Sequence, residues 1–304
     1  MIPDLRTKSG AAGLSIASNS ILIALKVAAG AITGSIAILT EAVHSAIDLV
    51  ASLVAFFSVR RADEPADADH PYGHEKVENL ASAIEGALIL LGAWVIVFEA
   101  TRRLVVGGEV ETLGVGLAVV GFSALANFGL SAYLYRRARA LESPALEGDA
   151  AHLRTDAFTS VGVLMGLAVV DITGIVAFDS IVALIVAVAI VVAGVRILTR
   201  SSRVLVDEAP PADELDRIEA AIAAARPPEM VGYHKLRARR AGSRRHIDLH
   251  VQFRSGTTLE RAHALAHALR AAIEAEFPNA DVLIHVEPEE SATAAEEEQP
   301  LRHG

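Results

Sequence analysis

Residues 39–48 read Leu-Thr-Glu-Ala-Val-His-Ser-Ala-Ile-Asp, and residues 152–156 read His-Leu-Arg-Thr-Asp. Both stretches interrupt long apolar runs. His44 and Asp48 are four residues apart, as are His152 and Asp156. In a helix, positions i and i+4 share a face, so each run offers an imidazole and a carboxylate one turn apart. A charged side chain at membrane depth costs about 3 kcal/mol or more and needs a reason to be there. Two such pairs facing each other supply two nitrogens and two oxygens, a donor set that suits tetrahedral zinc. The repeat of one spacing on two runs argues against plain helix–helix glue, for which Ser or Thr suffices. Arg154, two residues after His152, points away from that face and reads as a contact to cytoplasmic phosphate or carboxylate. Lys26 and Glu85 read as paired or snorkelling groups and receive no role.

Outward from these motifs, the apolar excess of the chain falls into six runs of bilayer-spanning length, roughly 20 residues each. They are Leu14–Thr33, Ser35–Ser58, Val77–Glu99, Leu113–Tyr135, Ala150–Gly174 and Ala177–Leu198. Tight glycine turns near Gly34 and Gly174 join the first pair and the last pair. Arg6 and Lys8 before the first run mimic a signal peptide, but Lys26 interrupts the run and its length argues against cleavage. Basic residues near the ends set the orientation. One side carries Arg6, Lys8, Arg60, Arg61, Lys76, Arg136, Arg137, Arg139, Arg200 and Arg203, and the other carries Arg102 and Arg103. Both termini are therefore expected in the cytoplasm, which agrees with an even number of spans placing them on one side.

The bulk composition agrees. The chain has 304 residues, 52% of them hydrophobic, a net charge of −10, eleven His and no Cys. Disulfides and thiolate metal sites are excluded, so any metal must be held by His, Asp and Glu. The negative charge argues against nucleic-acid binding. There is no G-x-x-x-x-G-K-[ST] loop for ATP.

After about Asp207 the character changes. Asp213–Ala225 has helical periodicity; Lys235–Arg240 and His246–Phe253 alternate around Ala241-Gly242-Ser243, a hairpin signal. Thr257–Phe277 reads as a helix, with Thr257 and Glu260 as a capping box and Pro278 as its stop. Asp281–Val286 is a third strand. The order α-β-β-α-β describes a small α+β domain. The expected division is a membrane all-α six-helix bundle over 1–206, an α+β domain over 207–290 and a disordered acidic tail over 291–304.

Two further His clusters stand out. The loop Asp67-Ala68-Asp69-His70-Pro71-Tyr72-Gly73-His74 offers a candidate loop metal site. In the soluble part, His246, Asp248 and His250 alternate with Ile247, Leu249 and Val251, while His285 and Glu287 alternate with Ile284 and Val286. His234 precedes the first strand, and His263 and His267 fall on the helix. His246 and His267 are expected to face solvent.

The stretch Leu39–Asp48 resembles the second-span signature of the cation diffusion facilitator transporters, and His152–Asp156 resembles their fifth-span motif. The likeness extends over about residues 10–288. It implies a ferredoxin- or metallochaperone-like soluble domain and a homodimer in the cell (inner) membrane. Each protomer would export a divalent cation, Zn²⁺ first, in exchange for protons by alternating access. The implied transport site is His44, Asp48, His152 and Asp156. The implied loop site is Asp67, His70 and His74. The implied site in the soluble domain is His234, His250, His263, His285 and Glu287; the family more often has Asp where Glu287 stands, so the extra methylene alters the geometry there. Zinc at that site would bias the dimer's arrangement. Lys76 and Asp207 resemble a family charge contact between protomers. One departure bears on selectivity: close members carry Asp where His44 stands. An imidazole there moves preference toward zinc and away from Mn²⁺ and Mg²⁺, as in the zinc-selective, cadmium-disfavouring members that share the His-Asp/His-Asp set. The alternatives are export of Fe²⁺, Co²⁺, Ni²⁺ or Cd²⁺ by the same mechanism, or a membrane metal sensor that does not transport.

Overall fold

In the computed structural model, residues 4–33, 36–106, 115–175 and 177–289 are described. The turn at Gly34 and the acidic tail 291–304 lie outside them. The chain divides into two units, residues 1–202 and 203–304.

The first unit is helical: α1 (Lys8–Thr33), α2 (Ile36–Ala62), α3 (Lys76–Val106), α4 (Val115–Leu141), α5 (Pro144–Thr173) and α6 (Ala177–Leu205). Among the described residues, five of them, α1 and α3 to α6, are long and apolar enough to cross a membrane. α2 is as long, at 27 residues. Its neighbours are α1, α3 and α5. The unit is inside out by the standard of a water-soluble protein. Large apolar side chains point outward, with Trp94 63% and Leu125 76% exposed, while small ones such as Ala55, Ala93, Ala150 and Ala187 fill the interior. Lipid removes the penalty for the outer face, and small inner residues let helices approach closely.

α5 begins six residues before the expected Ala150. Ser143 is its N-cap, accepting from the Leu146 N–H, and Pro144 occupies the first turn. These polar and proline signals precede the apolar run and set the true start. At the other end, Gly174 (φ 71°) closes the helix in the left-handed region by donating its N–H to the Val170 carbonyl.

The second unit contains α7 (Ala212–Ala224), β1 (Met230–Ala241), β2 (Arg244–Phe253), α8 (Leu259–Glu276) and β3 (Ala280–Pro288). The sheet order is β1-β2-β3, antiparallel then parallel. One face of the sheet buries Ile247, Leu249, Val251 and Val282 against Ile218 and Ile222 of α7 and Leu269 and Ile273 of α8. The alternation read from the sequence places these residues together. α8 is capped one residue later than expected. Thr258 accepts from the Arg261 N–H, whereas the Thr257 hydroxyl turns back to the Arg254 carbonyl and closes the turn through Gly256 (φ 92°). His246 also departs from expectation: it is buried, with Nδ1 3.4 Å from Asp281 Oδ2. Burial, reinforced by the nearby Arg239 charge, holds its imidazole below the ordinary histidine range.

Candidate metal centre

In the helical unit, Asp48 comes from α2 and His152 and Asp156 from successive turns of α5. His152 Nε2 lies 3.3 Å from Asp48 Oδ1 and 3.8 Å from Asp156 Oδ2. One ligand atom from each of the three falls within 4.8 Å of the others. Two donors on a tetrahedral zinc ion with bonds of 2.0–2.1 Å stand about 3.3 Å apart, so the spacing fits such an ion. Asp48 and His152 are only 6% and 7% exposed. His44 lies one turn before Asp48 on α2; its side chain is outside the described residues. The Arg154 guanidinium stacks over Tyr135 (5.4 Å) and Phe128 (5.8 Å).

The loop between α2 and α3 gathers Asp67, His70 and His74. Asp67 Oδ1 lies 3.1 Å from His70 Nδ1, and Oδ2 lies 3.2 Å from His74 Nε2. The same carboxylate accepts backbone N–H bonds from Asp69 (3.0 Å) and His70 (2.6 Å). The His70 N–H bond is the main cause that holds the Asp67 carboxyl below its ordinary value. Gly73 (φ 89°) provides the turn that brings His74 back. His74 is buried while Asp67 and His70 are exposed, so one ligand is anchored and two face outward.

In the second unit, sheet register does the assembling. His234 pairs with His250 across β1 and β2, and His250 with His285 across β2 and β3. Three imidazoles therefore form one row on the face opposite the core. A register shift follows His234, where Lys235 takes φ 51°, a bulge that re-aims the strand beside the row. Glu287 closes the group: Oε2 lies 2.8 Å from His234 Nε2, and Oε1 lies 2.7 Å from His250 Nδ1 and 3.6 Å from His285 Nε2. Burial pushes the Glu287 carboxyl up, but the imidazole hydrogen bonds outweigh it and leave it below the ordinary range. The tight group is His234, His250 and Glu287, with His285 at its exposed edge. His263 is not a member; on α8 its ring meets that of His267 at 4.5 Å.

Family models match almost the whole of the described chain. Residues 13–206 match the cation efflux transmembrane domain, and residues 210–289 match the cytoplasmic domain of cation efflux proteins. The chain belongs to the cation diffusion facilitator family. Like other cation efflux proteins it is a multi-pass membrane transporter and not an enzyme. It is 34% identical over 277 residues to the transporter sll1263 of Synechocystis, covering 90% of this chain and 88% of that one. It is 32% identical to the cation-efflux pump FieF of Serratia proteamaculans over 283 residues, 93% of each. The metal-bound C-terminal domain of the CzcD transporter from Thermotoga maritima aligns at 28% identity and a TM-score of 0.25, covering 28% of this chain and 100% of that domain.

Around the membrane cluster of this cation efflux transporter lie groups the sequence reading left aside. Glu85 of α3 is fully buried, with Oε2 3.4 Å from His152 Nδ1. Asp149, one turn before His152 on α5, is also fully buried and accepts from Ser52 Oγ at 3.0 Å. Ser52 in turn meets Ser15 and Asn19 of α1, each at 2.9 Å. Lys26 donates to Ser45 Oγ at 2.7 Å. The signal for Glu85 was present, a carboxylate deep in an apolar run. For Asp149 it is hidden, because Asp149 falls just before the apolar run that begins at Ala150.

Proposed function

We propose that the chain exports Zn²⁺ as a metal/proton antiporter by alternating access. The observation that carries this reading is the convergence of Asp48, His152 and Asp156 from two helices at a buried point inside the helical unit. His44 completes the set as a fourth ligand. The cation binds from the cytoplasm, the helices rock, and the site opens outward. Metal requires neutral imidazole and ionised carboxylate, so protons compete for the same atoms. Histidine titrates within the physiological range, which makes His152 and His44 the natural proton carriers. Acid outside then displaces zinc, and the inward proton gradient drives export.

In this reading, residues 1–206 transport and residues 207–290 hold a homodimer together, with both termini in the cytoplasm and the protein in the inner cell membrane. Asp67, His70 and His74 capture or regulate. His234, His250, His285 and Glu287 bind zinc that biases the dimer's arrangement. The all-imidazole-and-carboxylate chemistry favours zinc over the harder Mn²⁺ and Mg²⁺.

The test is flux in proteoliposomes with an imposed proton gradient and a panel of Zn²⁺, Cd²⁺, Fe²⁺, Co²⁺, Ni²⁺ and Mn²⁺. The expected result is gradient-driven zinc movement with counter-flow of protons. Zinc binding without any flux would instead support a sensor. Flux indifferent to the proton gradient would remove the antiport step.

A further inference from the structure

The geometry points to Glu85 as a positioning residue for the transport centre: its carboxyl oxygen stands 3.4 Å from Nδ1 of His152, where it draws the ring's proton to Nδ1 and turns Nε2 toward the cation. This rests on the transport site proposed above. His152 presents its two ring nitrogens to different partners. Nε2 faces Asp48 and Asp156, at 3.3 Å and 3.8 Å, and Nδ1 faces Glu85 at 3.4 Å. An imidazole binds metal through a nitrogen that carries no proton, and which nitrogen that is depends on what the other one meets. A carboxyl oxygen at Nδ1 keeps the proton there and leaves the Nε2 lone pair for the cation.

Two further observations show that Glu85 is held for this purpose. It is 0% exposed, and among the described residues neither of its oxygens nor Nδ1 of His152 makes a hydrogen bond, so the two groups are left facing each other at 3.4 Å. Such a group is costly to bury unless something nearby uses it. The helices around it are also fitted closely. A Cβ at Gly148 of α5 would come within 3.1 Å of the Glu85 Cβ and Cγ, and a Cβ at Gly86 would come within 2.9 Å of the Leu198 backbone nitrogen on α6. Glycine at these two positions lets α5 and α6 close on α3, which fixes the Glu85 stem and with it the distance to His152. Glu85 is therefore not a ligand but the group behind one. Groups in that place typically change metal affinity by about 10–100-fold when removed.

The experiment uses the full-length protein in proteoliposomes and reads the zinc-concentration dependence of flux for wild type, Glu85→Gln and Glu85→Leu. Gln keeps the acceptor oxygen and Leu keeps the bulk. Glu85→Leu is expected to raise the KM for zinc by about 10–100-fold with turnover changing less, and Glu85→Gln to stay within about 3-fold of wild type. In ¹⁵N-histidine spectra of the zinc-loaded protein, with His152 assigned through His152→Asn, wild type and Glu85→Gln should ligate through Nε2 with the proton on Nδ1. A Leu variant with wild-type KM, a Gln variant as impaired as Leu, or ligation through Nδ1 overturns the inference. If Glu85→Leu does not fold, the Gln variant and the nitrogen assignment still decide. Asp156→Ala separates the two levels: unchanged zinc KM in that variant removes the transport site itself, whatever Glu85 does.

Discussion

The helical unit and the soluble domain each gather imidazoles around carboxylates, yet they do so by opposite means. In the membrane, Asp48 arrives on α2 and His152 and Asp156 on α5, and an α-helix satisfies its backbone hydrogen bonds within itself. In the domain, His234, His250 and His285 are locked into a row by strand register. Helices can shift against one another as rigid bodies without losing internal hydrogen bonds, whereas a strand cannot slip without reversing which side chains face the core. The first arrangement suits a site that must come apart to release its cargo. The second suits one that holds metal while the protein works. Burial follows the same division: Asp48 and His152 are almost inaccessible, while His285 stands at the open edge of its row.

The sharpest way to break this contrast is to remove one carboxylate from each cluster. Asp156→Ala should abolish proton-driven zinc flux, a loss of at least roughly 100-fold, because it removes one of the carboxylate ligands the cation needs at membrane depth. Glu287→Ala should leave turnover at saturating zinc within a few-fold of wild type while weakening zinc binding by the domain, on the order of 10–100-fold. The two losses are read separately, by vesicle flux and by zinc titration of the full-length protein. Equal effects on flux would mean that the clusters are not divided as described.

How much of this was legible depended on whether the signal was local. The i, i+4 pairs on α2 and α5 and the period-two alternation on β2 and β3 follow from the repeat of one element, so residue types and spacing were enough. Asp48, His152 and Asp156 lie within reach of one another, as do Asp67, His70 and His74, although the helix period alone does not say that α2 and α5 are neighbours. What could not be read was which elements lie side by side. Glu85 acquires its place only because α3 runs against α5, and the buried Ser15–Ser52–Asp149 layer needs three helices to exist. Boundaries failed where polar punctuation competed with the apolar pattern: Ser143-Pro144 opens α5 ahead of its apolar run, and Thr258, not Thr257, caps α8. The bulge at Lys235 had no signature in composition.

A smaller effect would sharpen the comparison from the membrane side. His44 sits on α2 one turn before Asp48. Replacing its nitrogen by carboxylate oxygen should relax discrimination among divalent cations, since imidazole and carboxylate differ in softness. His44→Asp is expected to change the ratio of zinc to cadmium flux by about tenfold, which corresponds to about 1.4 kcal/mol of differential binding. The domain cluster should be untouched, so its zinc affinity serves as the internal control. An unchanged Zn/Cd ratio would show that selectivity is set elsewhere, in helix packing and not in ligand type.

The smallest expected effect lies in the soluble domain, away from its metal row. His246 is buried beside Asp281, and burial with the Arg239 charge holds its imidazole below the ordinary range. An unfolded histidine titrates near pH 6.5. Between that value and the lower folded one, the unfolded chain binds more protons than the folded domain, so stability rises with pH and is lost as pH falls below about 6.5. The Glu287 carboxyl is also held low, but its contribution is lost only below about pH 4.5. The two groups therefore act in different windows. Metal-free full-length protein should show the domain's melting temperature falling by a few degrees between pH 7.5 and 5.5. His246→Phe, which fills the same buried volume without a titrating group, should flatten that slope. If the variant melts with the wild-type pH dependence, His246 is not the group that sets the acid sensitivity of the domain.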